Sequence, residues 1–463
     1  LFPFMYNLTS SQLACIIQGT LFSGAGDCVL GGTVGTDSRV VEKGMIFFAL
    51  SGEKFDGNAF ASEAASRGAS AVVVSRPVEV DSSDCAVIVV EDTLVALQQL
   101  AGWWRDCLSS LVVVGVTGSS GKTSTKDLTL GVLSQAFRVT ATKGNFNNHI
   151  GVPLSILKGS PQDTAAIWEM GMNHAGELSP LCAMTRPFVG LISSIGSAHI
   201  EFLGSRDAIA EEKCTLARSL PEDGAMIYPA DCDYARLIRS STKARCIAVG
   251  IGMGDVRAEN VSFDEHGSRY TLVIDGFCRR EVRLNDHGRH MVSNSLLAAA
   301  TGWFLGMGAD AIARGLAEAS LTGGRLRCFV DRGVLVVDDT YNANPESMVA
   351  ALDTLSMMNG VKGRRWAVLG RMGELGDFAD EAHRRVGEHA AQCGLDALVC
   401  VGPEMSGMAE AARDMPVSVQ FDTREAAAAW LKDQILPGDT VLFKGSRSSS
   451  MELVMNQIFS DQP

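Results

Sequence analysis

The sequence has no long hydrophobic run and no sign of a secretory signal. No stretch of about 20 apolar residues is present that could cross a bilayer. Residues 1–6 also lack the basic segment, followed by an apolar stretch, that marks a signal peptide. These absences argue against a membrane span and predict a cytoplasmic protein.

Cysteine is present but lacks the spacing of a metal or disulfide motif. None of the 12 cysteines forms a Cys-x-x-Cys pair, and the closest two, Cys393 and Cys400, are seven positions apart. Such spacing favours reduced thiols in a cytoplasmic protein over a zinc site or a disulfide framework.

The chain also lacks an excess of positive charge. Lys and Arg total 40 against 53 Asp and Glu, which gives a formal net charge of −13. Nucleic acid and anionic membrane surfaces are therefore not expected as partners. An anionic ligand would have to be held by local donors. The proportions of hydrophobic residues (46%) and charged residues (20%) are those of a folded globular protein.

What is present predicts an α/β protein of three domains. A chain of 463 residues exceeds one ordinary core, and we place the domains at residues 1–88, 89–323 and 324–463. The first is predicted to be a small α/β domain. The second is predicted to hold a doubly wound, mostly parallel sheet, because apolar runs suited to strands buried on both faces alternate with helical stretches. The third is predicted to be a Rossmann-like α/β domain.

The predicted elements follow from apolar runs between turn residues. Strands are predicted at 111–116, 165–169, 189–195, 225–228, 334–338, 366–369, 397–401 and 440–443, with short apolar runs at 45–50 and 71–74. A helix is predicted at 205–220, and an antiparallel appendage at 255–284.

The strongest motif is a glycine-rich loop between the strand at 111–116 and a helical stretch. Glycines allow backbone N–H groups to turn toward phosphate oxygens, and the start of a helix adds a positive dipole end. Lys122 is predicted to reach the β and γ phosphates of ATP, and the Thr123 hydroxyl to bind Mg²⁺. The predicted ATP-binding residues of the loop are Gly118, Ser119, Ser120, Gly121, Lys122 and Thr123.

This loop departs from the standard nucleotide-binding form. The usual first glycine would stand at position 116, which is Val. The shorter Thr-Gly-x-x-Gly-Lys-Thr form resembles the loop of the Mur ligase family and its folylpolyglutamate synthase relatives.

Three further residues carry the resemblance through the central domain. Glu169 ends the strand at 165–169, where a magnesium ligand is expected in an α/β sheet. Taken alone, it could equally be a solvent-facing charge, His199 a structural histidine, and Lys213 a solvated helix residue. Their order after the loop resembles the Mur ligase central domain. That resemblance implies that Glu169 and His199 bind Mg²⁺ and that Lys213 is carbamylated and joins them.

The resemblance extends into the segments after the central sheet. It implies that Asn294, in Gly-Arg-His-Met-Val-Ser-Asn, contacts adenine. It implies that Arg325 reaches the nucleotide phosphates and that Asp339 contacts the ATP ribose. Motifs of this kind are common at turns when taken alone. The resemblance depends on their occurring together and in this order. Lys122, His199 and Lys213 are the predicted catalytic residues.

Segments in the first domain and in a later loop resemble the parts of the family that bind the UDP-muramoyl-peptide substrate. Ser38 and Arg39 lie in a Thr-Asp-Ser-Arg segment that resembles the uridine-nucleotide-binding domain. Asn145, Asn147 and Asn148 resemble the form found in the branch that adds D-alanyl-D-alanine, and amides suit a polar muramoyl peptide. Arg371 departs from that branch, where Asp is expected.

The resemblance implies an ATP-dependent, ADP-forming ligase. Its expected partners are a UDP-N-acetylmuramoyl-tripeptide and D-alanyl-D-alanine, and we expect a monomer. Two alternatives are a folylpolyglutamate synthase, disfavoured by the uridine-type first domain, and a nucleotide-binding switch that has lost its chemistry.

Overall fold

The structure is a computed structural model that describes residues 8–31, 33–52, 55–264, 266–358 and 363–459. The predicted lack of a signal at residues 1–6 falls outside these ranges. Within them, no helix combines the length and apolar character needed to cross a bilayer.

The helices and strands follow one another along three stretches of chain. The first stretch contains α1 Ser10–Ile16, β1 Thr20–Ser23, β2 Val34–Gly35, β3 Ile46–Phe48, α2 Ala61–Ser66, β4 Ala71–Val74, β5 Ala86–Val89 and α3 Thr93–Cys107. The second contains β6 Val112–Thr117, α4 Lys122–Leu133, β7 Val139–Ala141, α5 Gly151–Ile156, β8 Ala165–Glu169, α6 Leu178–Thr185, β9 Val189–Ile192, α7 Ile200–Leu203, α8 Arg206–Arg218, β10 Ala225–Pro229, α9 Ala235–Ser240, β11 Arg245–Ile251, β12 Val256–Asp264, β13 Gly267–Ile274, β14 Cys278–Leu284, α10 Arg289–Phe304 and α11 Ala309–Ala317. The third contains β15 Arg327–Asp331, β16 Val334–Asp339, α12 Pro345–Met357, β17 Arg365–Gly370, α13 Ala379–Gln392, β18 Ala397–Val401, α14 Ser406–Ala411, β19 Val417–Phe421, α15 Arg424–Gln434, β20 Thr440–Lys444 and α16 Met451–Ile458.

The chain divides into two compact units. The first consists of Leu1–Gly115, Phe137–Met172 and Glu177–Phe188. The second consists of Val116–Ala136, Asn173–Gly176 and Val189–Pro463.

The first unit is built on a five-stranded sheet with the order β1-β5-β4-β3-β2. Strands β2 to β5 are parallel, and β1 pairs with β5 in the antiparallel direction. The apolar run 71–74 forms β4 and is fully buried, as a strand covered on both faces requires. The same unit contains the parallel pair β7 and β8.

In the second unit, neighbouring strands run in the order β14-β13-β12-β11-β10-β9. The strands β9 to β12 are parallel, whereas β12, β13 and β14 pair in the antiparallel direction. The antiparallel appendage predicted at 255–284 is therefore present.

The same unit contains a six-stranded sheet, in the order β15-β16-β20-β17-β18-β19. Only the edge strand β15 is antiparallel. The sheet residues Val336, Val368 and Phe443 pack with Leu431 of α15 and Val454 of α16 into one apolar core. Parallel strands with helices after them give the Rossmann-like arrangement expected here.

Several predicted strands differ from the observed ones by one residue at an end, and two predicted elements differ by more. The strand predicted at 189–195 ends at Ile192, because Ser193 and Ser194 bond to the glycine-rich loop instead of continuing the sheet. The helix predicted at 205–220 begins at Arg206 and ends at Arg218. Ser205 is its N-cap, and its hydroxyl accepts a hydrogen bond from the Ala208 N–H at 3.1 Å.

Candidate active site

The glycine-rich loop joins the end of β6 to the start of α4. Gly121 is the N-cap of α4 and has a left-handed backbone, with φ of 80°. A Cβ atom at Gly121 would lie 2.8 Å from Asn294 Oδ1, and one at Gly118 would lie 2.0 Å from Ser193 Oγ. Both positions therefore require glycine, and the predicted adenine-binding Asn294 lies against the loop.

The segment after β9 holds the loop in place. The N–H groups of Ser119 and Ser120 donate to the carbonyl and hydroxyl oxygens of Ser194, at 2.9 and 2.8 Å. Ser193 Oγ donates to the Ser120 carbonyl at 2.5 Å. Two of the N–H groups predicted to bind phosphate are thus bonded to Ser194. The start of α4, at Lys122 and Thr123, is the better-placed part of the loop for an anion.

The ammonium of Lys122 folds over this loop. Its Nζ donates to the Gly118 carbonyl at 2.7 Å, and Thr123 is buried at the first turn of α4. A cation above a helix N-terminus is the arrangement that binds a phosphate chain.

A residue of the third stretch also contacts the loop. Asn344 caps α12, and its Nδ2 donates to Ser120 Oγ at 2.8 Å and to the Ser119 carbonyl at 3.4 Å. The sequence analysis gave Asn344 no role. An Asn followed by Pro345 indicates the start of a helix. The local sequence does not indicate that Asn344 contacts Ser120.

His199 is held by a carboxylate that sequence reasoning had also left without a role. His199 has a left-handed backbone, with φ of 66°, and its Nδ1 lies 2.5 Å from Glu374 Oε2. This contact, with the charges of His199, Lys122 and His174, lowers the pKa of Glu374. A metal-binding histidine characteristically has such a carboxylate on its second nitrogen.

The loop that carries Glu374 is itself anchored. The buried His383 accepts a hydrogen bond from the Met372 N–H at Nε2, at 3.0 Å, and its Nδ1 donates to the Ala379 carbonyl at 2.7 Å. Burial lowers the pKa of His383, so the neutral ring is favoured.

Lys213 is buried in the middle of α8, with 1% of its surface exposed. Burial first, and the charge of Lys122 second, lower its pKa well below the usual value, while Glu212 opposes the change. Glu212 accepts a hydrogen bond from the Gly176 N–H at 2.9 Å, and Glu211 pairs with Arg218. A lowered pKa favours the unprotonated amine that carbamylation requires.

The second unit also contains Arg325 and Asp339, which are predicted to contact ATP. The Arg325 guanidinium lies 4.0 Å from the centre of the Tyr341 ring, and its Nη1 is buried with no hydrogen-bond partner among the described residues. The Asp339 carboxylate lies 2.6 Å from Lys444 Nζ, and burial raises its pKa while Lys444 opposes the rise. Lys444 is a further site residue that sequence reasoning missed.

Glu169 and the predicted substrate-binding asparagines lie in the first unit. Glu169 ends β8, is buried, and accepts a hydrogen bond from Asn147 Nδ2 at 2.7 Å. Asn148 Oδ1 accepts from the N–H groups of Ile150 and Gly151 at the start of α5, and Asn145 is exposed. Asn147 thus positions the predicted metal ligand, and Asn148 has a local capping role.

Ser38 and Arg39 form a short turn in the first unit. The Asp37 carboxylate accepts from the Arg39 backbone N–H at 3.0 Å and from its guanidinium at 2.7 Å, which lowers the pKa of Asp37 to about 2. Ser38 Oγ donates to Glu63 at 3.3 Å. The Arg39 side chain is 83% exposed, so it lies open to a ligand.

Three domain models match the chain in the predicted order. They are the Mur ligase family catalytic domain over residues 32–104, the Mur ligase middle domain over 116–302, and the Mur ligase glutamate ligase domain over 324–447. A curated relative from Synechocystis, named UDP-N-acetylmuramoyl-tripeptide–D-alanyl-D-alanine ligase, is 39% identical over 92% of this chain and 92% of its own. The chain belongs to the Mur ligase family.

Solved structures of Mur ligases agree with this assignment. Crystal structure I of MurF from Acinetobacter baumannii has 34% identity and a TM-score of 0.90, and the match covers 99% of each chain. MurF ligase from Thermotoga maritima in complex with ADP has 30% identity and a TM-score of 0.81, over 92% of this chain and 96% of that one. The predicted family and three-domain α/β fold are confirmed. The domain boundaries at 88/89 and 323/324 stay predictions.

The roles of individual residues in this Mur ligase also stay predictions. Thr123, His199 and Lys213 belong to the second unit, and Glu169 to the first. That all four serve Mg²⁺ is therefore an inference from the family resemblance and from their chemistry. The contacts made by Asn344, Glu374 and Lys444 add three residues to the candidate site.

Proposed function

We propose that this Mur ligase joins D-alanyl-D-alanine to a UDP-N-acetylmuramoyl-tripeptide, with conversion of ATP to ADP and phosphate. The Synechocystis relative, which aligns over 92% of this chain, carries this activity in its name. The observation that carries the ATP requirement is the glycine loop, where Gly118 and Gly121 leave no space for a Cβ and Lys122 lies at the start of a helix.

The residues present suit a triphosphate. Arg325 Nη1 is buried with no hydrogen-bond partner in the described part of the chain, and a buried guanidinium N–H that lacks an acceptor is costly. A phosphate oxygen would supply that acceptor. Asn294 beside Gly121 and Asp339 beside Lys444 offer polar groups for the base and ribose.

The donor set also suits Mg²⁺, which prefers oxygen ligands. The Thr123 hydroxyl would supply oxygen to the ion that accompanies the nucleotide, and the family resemblance implies Glu169 as a further oxygen ligand of that ion. His199 and a carbamate on Lys213 would hold a second ion near the acceptor carboxylate. When bound, the ion that accompanies the nucleotide neutralises charge on the phosphate oxygens.

The reaction requires an activated carboxyl group, because a carboxylate is a poor acyl donor. The terminal carboxylate of the tripeptide attacks the γ-phosphorus of ATP, and ADP leaves, which yields an acyl phosphate. Lys122 would stabilise the negative charge that the transferring phosphoryl group carries. The amine of D-alanyl-D-alanine, after loss of its proton, attacks the acyl carbon, and phosphate leaves as the amide forms.

Water must be kept from the acyl phosphate, and the third stretch of chain is positioned to do this. Asn344 contacts the phosphate loop, and Glu346 Oε1 accepts from the Ser197 N–H at 2.8 Å. These contacts bring the start of α12 against the loop and the segment that carries Ser197, and an element in that position would exclude solvent from the reacting groups. We further propose that the protein acts in the cytoplasm, as a monomer.

Phosphate release measures this activity directly. With ATP, Mg²⁺ and the UDP-muramoyl-tripeptide, we expect rapid release only when D-alanyl-D-alanine is added. Glutamate addition to a folate acceptor would instead identify a folylpolyglutamate synthase. ATP binding with no release under any condition would identify a nucleotide switch and contradict the proposal.

A further inference from the structure

Three side chains with no assigned role in the candidate active site place metal-ligand atoms together. Asp353 lies on α12, His389 lies in the last turn of α13, and Cys393 is the residue that caps α13. One donor atom from each lies within 4.8 Å of the other two. His389 and Cys393 are four residues apart and so share one helix face, and α12 packs against α13.

The spacing is close to that of a tetrahedral metal site. Cys393 Sγ lies 3.8 Å from Asp353 Oδ1, and His389 Nε2 lies 2.7 Å from the same oxygen. Ligands bound at zinc distances are about 3.3–3.5 Å apart. A rotation of the Asp353 carboxyl group, which is 42% exposed, would adjust the distances from its oxygen to the other two atoms.

We propose that Asp353, His389 and Cys393 bind a divalent transition-metal ion of the zinc class. A thiolate with an imidazole favours zinc over magnesium, so this site would be chemically distinct from the oxygen-rich site proposed for Mg²⁺. The His389 side chain is 29% exposed, which leaves a path for the ion and a position for water as fourth ligand.

A metal ion that binds here must displace the protons that the three side chains carry without it. Asp353 accepts a hydrogen bond from His389 Nε2, and burial together with the Asp353 charge raises the pKa of Cys393 to about 11. Binding therefore releases the thiol proton to solvent and moves the His389 ring proton to Nδ1. The Asp353 carboxylate and the Cys393 thiolate then balance the two positive charges. The neighbouring His290 has its pKa lowered to about 4 and adds no positive charge near neutral pH.

Cobalt titration of the full-length protein tests this site. Co²⁺ takes zinc positions and reports a thiolate ligand through a charge-transfer band. The titration is made with excess Mg²⁺ and a thiol-free reductant. We expect one equivalent of Co²⁺ with a thiolate band, displaced by Zn²⁺. Cys393→Ser should abolish the band, and His389→Gln should weaken binding on the order of 100-fold. Cys107→Ser changes an exposed thiol outside the cluster and should change neither.

Thermal unfolding gives a second readout. Zn²⁺ should raise the melting temperature of the wild type and of Cys107→Ser, but not of Cys393→Ser, because a ligand stabilises only a state that binds it. If Cys393→Ser is unfolded at the start, Asp353→Asn takes its place in both measurements. Co²⁺ bound without a thiolate band, or a thiolate band that survives Cys393→Ser, would overturn the proposal. So would wild-type protein that binds no Co²⁺.

Discussion

The amide of Asn344 donates from Nδ2 to Ser120 Oγ at 2.8 Å, while its Oδ1 accepts from the Ser347 N–H at 2.9 Å. One side chain therefore starts α12 and fixes the phosphate loop, although Asn344 and Ser120 are 224 residues apart.

The substitution Asn344→Ser separates these two functions. Serine is a good N-cap, so the free energy of unfolding should change by less than about 0.5 kcal/mol. The amide donor is lost, and a neutral hydrogen bond contributes about 1 kcal/mol, so kcat/KM for ATP should fall roughly fivefold. Steady-state kinetics with chemical denaturation measures both. A fall in stability with unchanged kinetics would show that Asn344 only caps its helix.

Lys122→Ala should remove ligation and leave the fold intact. The ammonium lies at the phosphate loop, and loss of such a charge from a transition state costs on the order of 100-fold or more in kcat. Lys243→Ala is the matched control, since that side chain is 81% exposed and pairs with Glu222 at the protein surface. If Lys122→Ala ligates within tenfold of the wild type, the loop is not catalytic.

Lys213→Ala should be inactive and should regain activity with added acetate. The amine is buried and its pKa is lowered, which suits a carbamate, and acetate in the cavity would restore the lost carboxylate-like ligand. Lys213→Met fills the same space and should resist rescue. A carbamate signal in ¹³C NMR after exposure to labelled bicarbonate is expected from the wild type only. Normal activity of Lys213→Ala without acetate would remove this residue from the metal site.

Glu374→Gln should lower kcat more than it changes KM for ATP. The carboxylate lies 2.5 Å from His199 Nδ1, and loss of such a partner of a metal-binding histidine costs about 10–100-fold. Glu374→Asp should restore part of the activity. Glu404→Gln removes a carboxylate that pairs with Arg371 near the protein surface and should have little effect. Equal kinetics for Glu374→Gln and Glu404→Gln would show that His199 does not depend on Glu374.

Acid should destabilise the protein partly through His290. Burial first, and the charge of Lys444 second, lower the pKa of His290 from 6.5 to about 4. The unfolded chain therefore binds a proton at this site before the folded chain does, and stability falls as the pH drops from about 6.5 to about 4. A shift of this size corresponds to about 3 kcal/mol. His290→Gln should reduce the acid-induced loss in the free energy of unfolding by about that amount. An equal loss in both proteins would contradict the assignment.

The sequence predicted those features that depend on local pattern. Buried parallel strands are continuous apolar runs, so residues 71–74, 165–169 and 397–401 were placed without error. The glycine loop was found because its backbone needs glycine at fixed positions, which the left-handed Gly121 illustrates.

The sequence did not predict features that depend on packing between distant segments. Glu374 and His199 come into contact only after two stretches of chain fold together. The residues next to each of them in the sequence do not indicate this contact. The cluster of Asp353 with His389 and Cys393 could not be predicted for the same reason, because the two partners of Asp353 lie on the next helix. The spacing of the cysteines alone had favoured plain reduced thiols.

The crowding at Gly118 and Gly121 limits how this loop can change over evolution. A side chain at either position would meet Ser193 or Asn294. It would also have to adopt a positive φ, 155° at Gly118 and 80° at Gly121, which L residues rarely do. An inhibitor that packs against these two glycines would thus contact positions from which resistance mutations are hard to select.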